Sequence, residues 1–320
     1  MLGKISTTIH CLTLMLFLAL PGYAFAHTHK KYGHKKHMLD STVLSMYSHS
    51  AIVYDEETHA PLFAKNADMV MPIASITKLM TAIVVIDSGS SMDERLTITE
   101  EDISPLKRTK SRLINGMTMS RAELLNLALM SSENRAALVL ARNYPGGLPM
   151  LVVAMNDKAQ ALGMENTQFV EPTGLSASNI STAQDLVKMV MAARDYTLIH
   201  QYTTATSHEV NGINGRVIQF HNTNPLTSSE AWDITLSKTG FTTAAGRCLV
   251  MRTTISNRPV IIVLLDARSK KLRIADAQRA KQWMERVKAR TLPPIVHPPQ
   301  EPALPEVTPP QELQHEEQPS

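Results

Sequence analysis

Pro72-Ile73-Ala74-Ser75-Ile76-Thr77-Lys78-Leu79-Met80-Thr81 opens an apolar run that continues to Val85. The run reads as a buried helix that begins at Ser75. A helix start leaves backbone N–H groups unpaired at the positive end of the macrodipole, so the N–H of Ser75 is available to stabilise a developing oxyanion. Lys78 lies one turn later on the same face, within reach of the Ser75 hydroxyl. This is a nucleophile and base pair without histidine, provided the site keeps the lysine amine neutral by desolvation, a nearby cation or both. Lys238 is the expected cation. In isolation a Ser-x-x-Lys is usually a helix start with a surface lysine. The reading here rests on two further motifs.

The second is Ser132-Glu133-Asn134. Ser120 and Glu123 form a capping-box pattern, so a helix starts there and delivers Ser132 and Asn134 at its far end or in the following loop. The third is Lys238-Thr239-Gly240, after the β-compatible run Ala231 to Ser237. Gly240 weakens a strand but lets another backbone approach, so an extended substrate can pair along this edge. Thr239 offers a hydroxyl to a substrate carboxylate, and the N–H of Phe241 would complete the oxyanion hole.

Ser-x-x-Lys, Ser-x-Asn and Lys-Thr-Gly in this order are the motif set of the serine β-lactamases and penicillin-binding proteins. From about Ser50 to Val287 the chain resembles the low-molecular-mass D-alanyl-D-alanine peptidases, most of all the penicillin-binding protein 7 type, the D-alanyl-D-alanine endopeptidases. The likeness also runs through Leu129 to Ala137, Asn222-Thr223-Asn224, Pro172-x-Gly174-Leu175 and Ser181-Thr182-Ala183-x-Asp185-Leu186. It implies an acyl-enzyme on Ser75 with Lys78 as general base. Ser132 and Asn134 would be the proton relay and substrate clamp, and Lys238 with Thr239 would recognise the carboxylate. Gly240 and Phe241 belong to the substrate-binding edge. Arg273 falls where the family often carries a basic residue near the carboxylate site; Arg247, Arg268 and Lys271 compete for that role, and a solvated helix face explains them equally well. The implied substrates are D-alanyl peptides of peptidoglycan, with β-lactams as covalent inhibitors. No cofactor or metal is implied.

The ends of the chain read differently from its centre. Lys4, the apolar stretch Cys11 to Leu20 and Ala24-Phe25-Ala26 form a signal-peptide pattern over residues 1–26 and imply a periplasmic product. That apolar stretch is short for a membrane span. Residues 27–40 are a His/Lys-rich linker, with four histidines and four lysines between His27 and His37 and no scaffold to fix metal geometry. Residues 291–320 are a Pro/Glu-rich tail, whose stretch 293–320 holds nine prolines, five glutamates and no lysine or arginine. It reads as extended and disordered, carries no membrane anchor, and offers a docking segment for a periplasmic partner. A net charge of +3 is too small to suggest a nucleic-acid partner. Loss of the signal would leave Cys248 as the only cysteine, so no internal disulfide is expected.

Residues 41–290 form the expected catalytic domain. Ala51 to Tyr54 and Pro61 to Lys65 predict a hairpin, Ser75 to Leu198 a mostly helical centre, and Leu236 to Lys238, Cys248 to Ile255 and Pro259 to Leu265 successive strands with a turn at Asn257 to Pro259. A helix over about 270–288 closes the unit. The fold class is α+β, an antiparallel sheet flanked by helices with a mostly helical insertion, as in the serine β-lactamase/DD-peptidase fold. Two rival functions are a class A-like β-lactamase, for which Glu171 would be the deacylating carboxylate, and a non-catalytic peptidoglycan-binding scaffold. Thr173-Gly174-Leu175-Ser176 after Pro172 lacks the asparagine expected of the β-lactamase loop.

Overall fold

A strand buried on both faces runs through the middle of the molecule. Val260 to Leu265 of β5 (Arg258–Ala267) are all fully buried. The run is uninterrupted because both faces of the sheet are covered. Ile261, Val263 and Leu265 enter the larger apolar core, shared with the helical layer. Val260, Ile262 and Leu264 enter the smaller core beneath the last helix, α7 (Lys270–Lys288). The computed structural model describes residues 44–106 and 109–288. The signal, His/Lys-rich and Pro/Glu-rich segments read from the sequence lie outside them.

Strands β1 (Ser50–Asp55), β2 (Ala60–Lys65), β3 (Asp233–Thr242) and β4 (Gly246–Ile255) join β5 in one sheet of order β2-β1-β5-β4-β3. Every pairing is antiparallel. The terminal regions of the domain thus meet in one sheet, and everything between β2 and β3 is inserted. Ser256 and Asn257 carry φ of 55° and 64°, so a tight two-residue turn joins β4 to β5. It lies a residue earlier than expected, and Pro259 already pairs with Thr254. Asp276 of α7 accepts hydrogen bonds from the N–H of Tyr47 and from the N–H and hydroxyl of Ser48, fastening the start of β1 to the closing helix.

The insertion supplies α1 (Thr77–Asp87), α2 (Arg121–Met130), α3 (Asn134–Arg142), α4 (Gly147–Ala161), α5 (Ala183–Ala193) and α6 (Thr197–Thr204). α1 has nine buried residues from Thr77 to Val85, so it is the axis of the helical layer. Ser120 and Glu123 form the reciprocal cap foreseen at the start of α2. A hairpin of Ser207–Asn211 and Val217–His221, which the sequence reading did not separate from its surroundings, leads into Asn222-Thr223-Asn224.

Edge strand β3 borders the helical layer, and two glycines set how closely they meet. A Cβ on Gly240 would stand 3.0 Å from Ile73 O and Ser75 N. Gly174 is tighter still: its φ is +82°, and a Cβ there would fall 1.9 Å from Ala74 O. Gly163, with φ of +68° and no neighbour within 4 Å, isolates the backbone term. Gly163→Ala is expected to cost about 1–2 kcal/mol of left-handed strain and to leave β-lactam acylation intact. Gly174→Ala should cost at least about twice as much and slow acylation, because the Ser75 segment must move. Thermal melts and acylation rates of both variants check this, and equal behaviour would refute it.

Candidate active site

Ser75 stands in a single 3₁₀ turn, Ala74–Ile76, that leads into α1. The sequence reading began the helix at the serine itself; regular α-helix starts two residues later, at Thr77. Ala74 has a φ of 48°, strained for a residue with a side chain. The turn is held from outside: Thr77 Oγ1 donates to Ala74 O at 2.8 Å, and Ile73 N donates to Asn179 O at 3.1 Å.

Lys78, one turn on, is buried and has three neutral partners. Its Nζ lies 2.9 Å from Ser75 Oγ, 2.7 Å from Asn134 Oδ1 and 2.6 Å from Thr173 O. Two of these groups are pure acceptors here, so they fix two N–H bonds and leave the third position of the amine facing the serine. When the amine is neutral, that position is a lone pair aimed at the Ser75 hydroxyl proton. Burial pushes the Lys78 pKa down to about 7, against the opposing charges of Glu171 and Glu133.

Ser132 occupies the turn between α2 and α3. Ser131 N and Glu133 N both donate to Leu127 O, and Ser132 has a φ of 62°. Glycine is the usual occupant of such a helix-ending position; a serine here accepts strain for the sake of a hydroxyl. That hydroxyl meets Lys238, whose Nζ lies 2.9 Å from Ser132 Oγ and 3.0 Å from Thr239 O. Glu133 caps the next helix, accepting from Arg135 N, and Asn134 opens it.

Strand alternation sorts the third motif. Leu236 packs in the larger core, so Lys238 points to the helical side. Thr239 pairs across from Leu249, and Phe241 from Arg247, which puts both on the α7 side. Thr239 Oγ1 donates to Thr223 Oγ1 at 2.7 Å. Arg273 is buried, donates through Nη1 to Cys248 O at 3.1 Å, and is pushed down to about 10 by burial and the charge of Arg247.

Ser75, Ser132, Asn134, Thr239, Gly240, Phe241 and Arg273 line one cleft of about 400 Å³, with Leu175, Asn222, Thr223, Arg247 and Lys270. Lys78 and Lys238 reach it from below through their serine partners. Arg268 and Lys271, named as rivals of Arg273, are not among its lining residues. Among the described residues no group of three or more His, Cys, Asp or Glu is placed to hold a metal.

Of the two means expected to keep Lys78 neutral, desolvation and a nearby cation, burial leads; the repulsion between Lys78 and Lys238 falls mainly on Lys238. Lys238 is itself lowered well below the usual lysine range, first by burial and then by the charges of Lys78 and Arg273. The sequence reading missed the Thr173 carbonyl, which no side chain announces, and named Glu171 only as the deacylating carboxylate of the rival β-lactamase. The Glu171 carboxylate accepts from Thr173 N at 2.7 Å, Thr173 Oγ1 at 2.5 Å, Gly174 N at 2.6 Å and Asn179 Nδ2 at 2.8 Å. It is consumed in shaping the turn that presents Thr173 O to Lys78. Thr223 was quoted only within a likeness; its contact with Thr239 joins its loop to the third motif.

The sequence profile of a family described as D-alanyl-D-alanine carboxypeptidase matches residues 37–269. A D-alanyl-D-alanine endopeptidase of Pseudomonas aeruginosa is 50% identical over 247 residues, covering 77% of this chain and 80% of its own. One of Escherichia coli is 47% identical over the same shares. Among solved structures, the Streptomyces K15 DD-transpeptidase superposes with a TM-score of 0.69 at 26% identity, covering 75% of this chain and 97% of its own. Penicillin-binding protein D2 of Listeria monocytogenes in its ampicillin-bound form gives 0.64 at 29% identity, covering 76% and 99%.

If the neutral amine of Lys78 takes the serine proton, acylation by a β-lactam should fall as pH drops below about 7, by about tenfold per unit once the amine is mostly protonated. A flat profile between pH 5 and 8 would rule out this base. Lys78→Arg, which cannot surrender its proton, should slow acylation by about 10²–10⁴-fold, read with a fluorescent penicillin.

Proposed function

Because the chain belongs to the D-alanyl-D-alanine carboxypeptidase family of serine peptidases, we propose that it is an exported enzyme whose preferred substrates are the D-alanyl cross-links of peptidoglycan. It is a serine DD-peptidase acting on D-alanyl stem peptides and open to acylation by β-lactams. The observation that carries the chemistry is the 2.9 Å approach of the buried Lys78 amine to Ser75 Oγ.

In the first step Ser75 Oγ bonds to the carbonyl carbon of a D-alanine residue as Lys78 takes the hydroxyl proton. The N–H groups of Ser75 and Phe241 face the oxyanion. The C–N bond then breaks, and the leaving amine receives a proton by way of Lys78 and Ser132, whose hydroxyl is held by Lys238. Water next attacks the ester and gives a proton to Lys78, which returns it to Ser75 Oγ as the ester C–O bond breaks, leaving a carboxylate and the free Ser75 hydroxyl. Thr239, on the side of Arg273, receives the carboxylate of the leaving residue. Asn134 both fixes Lys78 and clamps the substrate backbone.

Preference for cross-links over terminal D-alanine is supported by the two relatives that carry the endopeptidase name. Export to the periplasm is supported by the pattern of residues 1–26, and a partner protein held by residues 291–320 is supported by their Pro- and Glu-rich composition. Against the β-lactamase reading, Glu171 is bound to the backbone of its own loop and has no free geometry for activating water.

Mass spectrometry after β-lactam treatment should place the adduct on the peptide containing Ser75, and Ser75→Ala should abolish it with the fold intact. Digestion of cross-linked and uncross-linked muropeptides side by side should show faster cleavage of the cross-linked form. An adduct elsewhere would refute the nucleophile; faster release of terminal D-alanine would refute the preference.

A further inference from the structure

The mouth of the cleft carries more positive charge than a single carboxylate needs. Arg247, Lys270 and Arg273 all line it, and no Asp or Glu does. None of the three forms a salt bridge among the described residues. Lys270 and Arg273 lie in the first turn of α7 with Lys271, and that turn has no acidic residue. Cations at the positive end of a helix dipole are unfavourable there. Arg273 is only 3% exposed, and its buried Nε has no hydrogen-bond partner. An anion in the cleft would relieve each of these conditions.

Arg247 is placed with care. Its guanidinium stacks on the half-exposed ring of Phe241 at 3.5 Å, across the β3–β4 pair. Stacking fixes the plane of an arginine without neutralising it. The wall formed by Phe241 and Arg247 therefore presents fixed positive charge on the side where the leaving group's carboxylate is received.

D-alanine as a leaving group has one carboxylate, which Thr239 and Arg273 can serve. A cross-link releases a different amine. Where the bridge runs to a diamino-dicarboxylate residue, the leaving stem has a carboxylate next to the amine and another at its own C-terminus. We propose that Arg247 and Lys270 form a second anion subsite that binds this farther carboxylate and so favours cross-links over terminal D-alanine. The proposal rests on the endopeptidase reading above and supplies a physical basis for it.

The test uses the full chain and three peptides with one D-alanyl acyl donor. Their leaving groups are D-alanine, a diamino-dicarboxylate peptide with a free C-terminus, and the same peptide amidated. Amidation should lower kcat/KM of the wild type by about tenfold, the worth of one charged hydrogen bond. Arg247→Gln with Lys270→Gln should lose about tenfold on the free acid and stay within about twofold on the amidated peptide, on D-alanine and in β-lactam acylation. Arg247→Lys, which keeps the charge, should retain most of the wild-type selectivity if the double variant has folded. Equal loss on all three peptides, or a wild type indifferent to amidation, would overturn the subsite while leaving the endopeptidase intact. A wild type that is acylated by penicillin but spares both cross-link mimics would overturn the endopeptidase reading as well.

Discussion

An amine buried without a carboxylate is the constraint around which this active site is built. Lys78 has a hydroxyl, a side-chain amide oxygen and a backbone carbonyl as partners. A carboxylate in the same place would hold the ammonium charged and destroy the base. Neutral acceptors do the opposite, since they satisfy the N–H bonds of an uncharged amine and leave its lone pair free. The cost is that these acceptors must come from distant parts of the chain and be held rigidly. Asn134 is supplied by the start of α3, and Thr173 O by a loop nearly a hundred residues beyond the lysine.

That loop explains Glu171. Its charge lies close enough to pull the Lys78 pKa upward, yet burial wins. The carboxylate gathers N–H groups of Thr173, Gly174 and Ser176, with Asn179 closing the ring and also donating to Thr77 Oγ1. A charged acceptor of several N–H bonds is a strong organiser of a tight turn. Gly174 then lets the turn lie against Ala74. The nucleophile, its base and the loop behind them form one hydrogen-bonded unit; its strain, at Ala74 and Ser132, falls where the chemistry needs a hydroxyl or an N–H in an unusual direction.

Most of this was legible where side-chain type carries the information. The alternating and continuous apolar runs of β1, β4 and β5 fix the sheet, and the capping box at Ser120 fixes the start of the helix that delivers Ser132. The three motifs locate the groups that converge on the cleft because each needs a particular functional group. What was not legible is carried by backbone or by three-dimensional environment. Thr173 acts through a carbonyl that every residue possesses. Glu171 is a candidate base only in the β-lactamase reading, which Thr173-Gly174-Leu175-Ser176 already disfavours; what it does instead is shown by its ring of donors. The balance between desolvation and a nearby cation at Lys78 was not legible, because a charge pair can be guessed from motifs, whereas desolvation depends on everything packed around the amine.

The two lysines then divide their tasks by what surrounds them. Both are buried and both are driven toward the neutral form. Lys78 faces the reacting hydroxyl, and burial brings its titration to about 7, so it can cycle a proton. Lys238 sits between Lys78 and Arg273, with Ser132 Oγ and Thr239 O as partners. Because burial leads its depression, an anion at Thr239 and Arg273 would offset only the part that comes from neighbouring charge, and Lys238 is left to hold the relay hydroxyl of Ser132 in place.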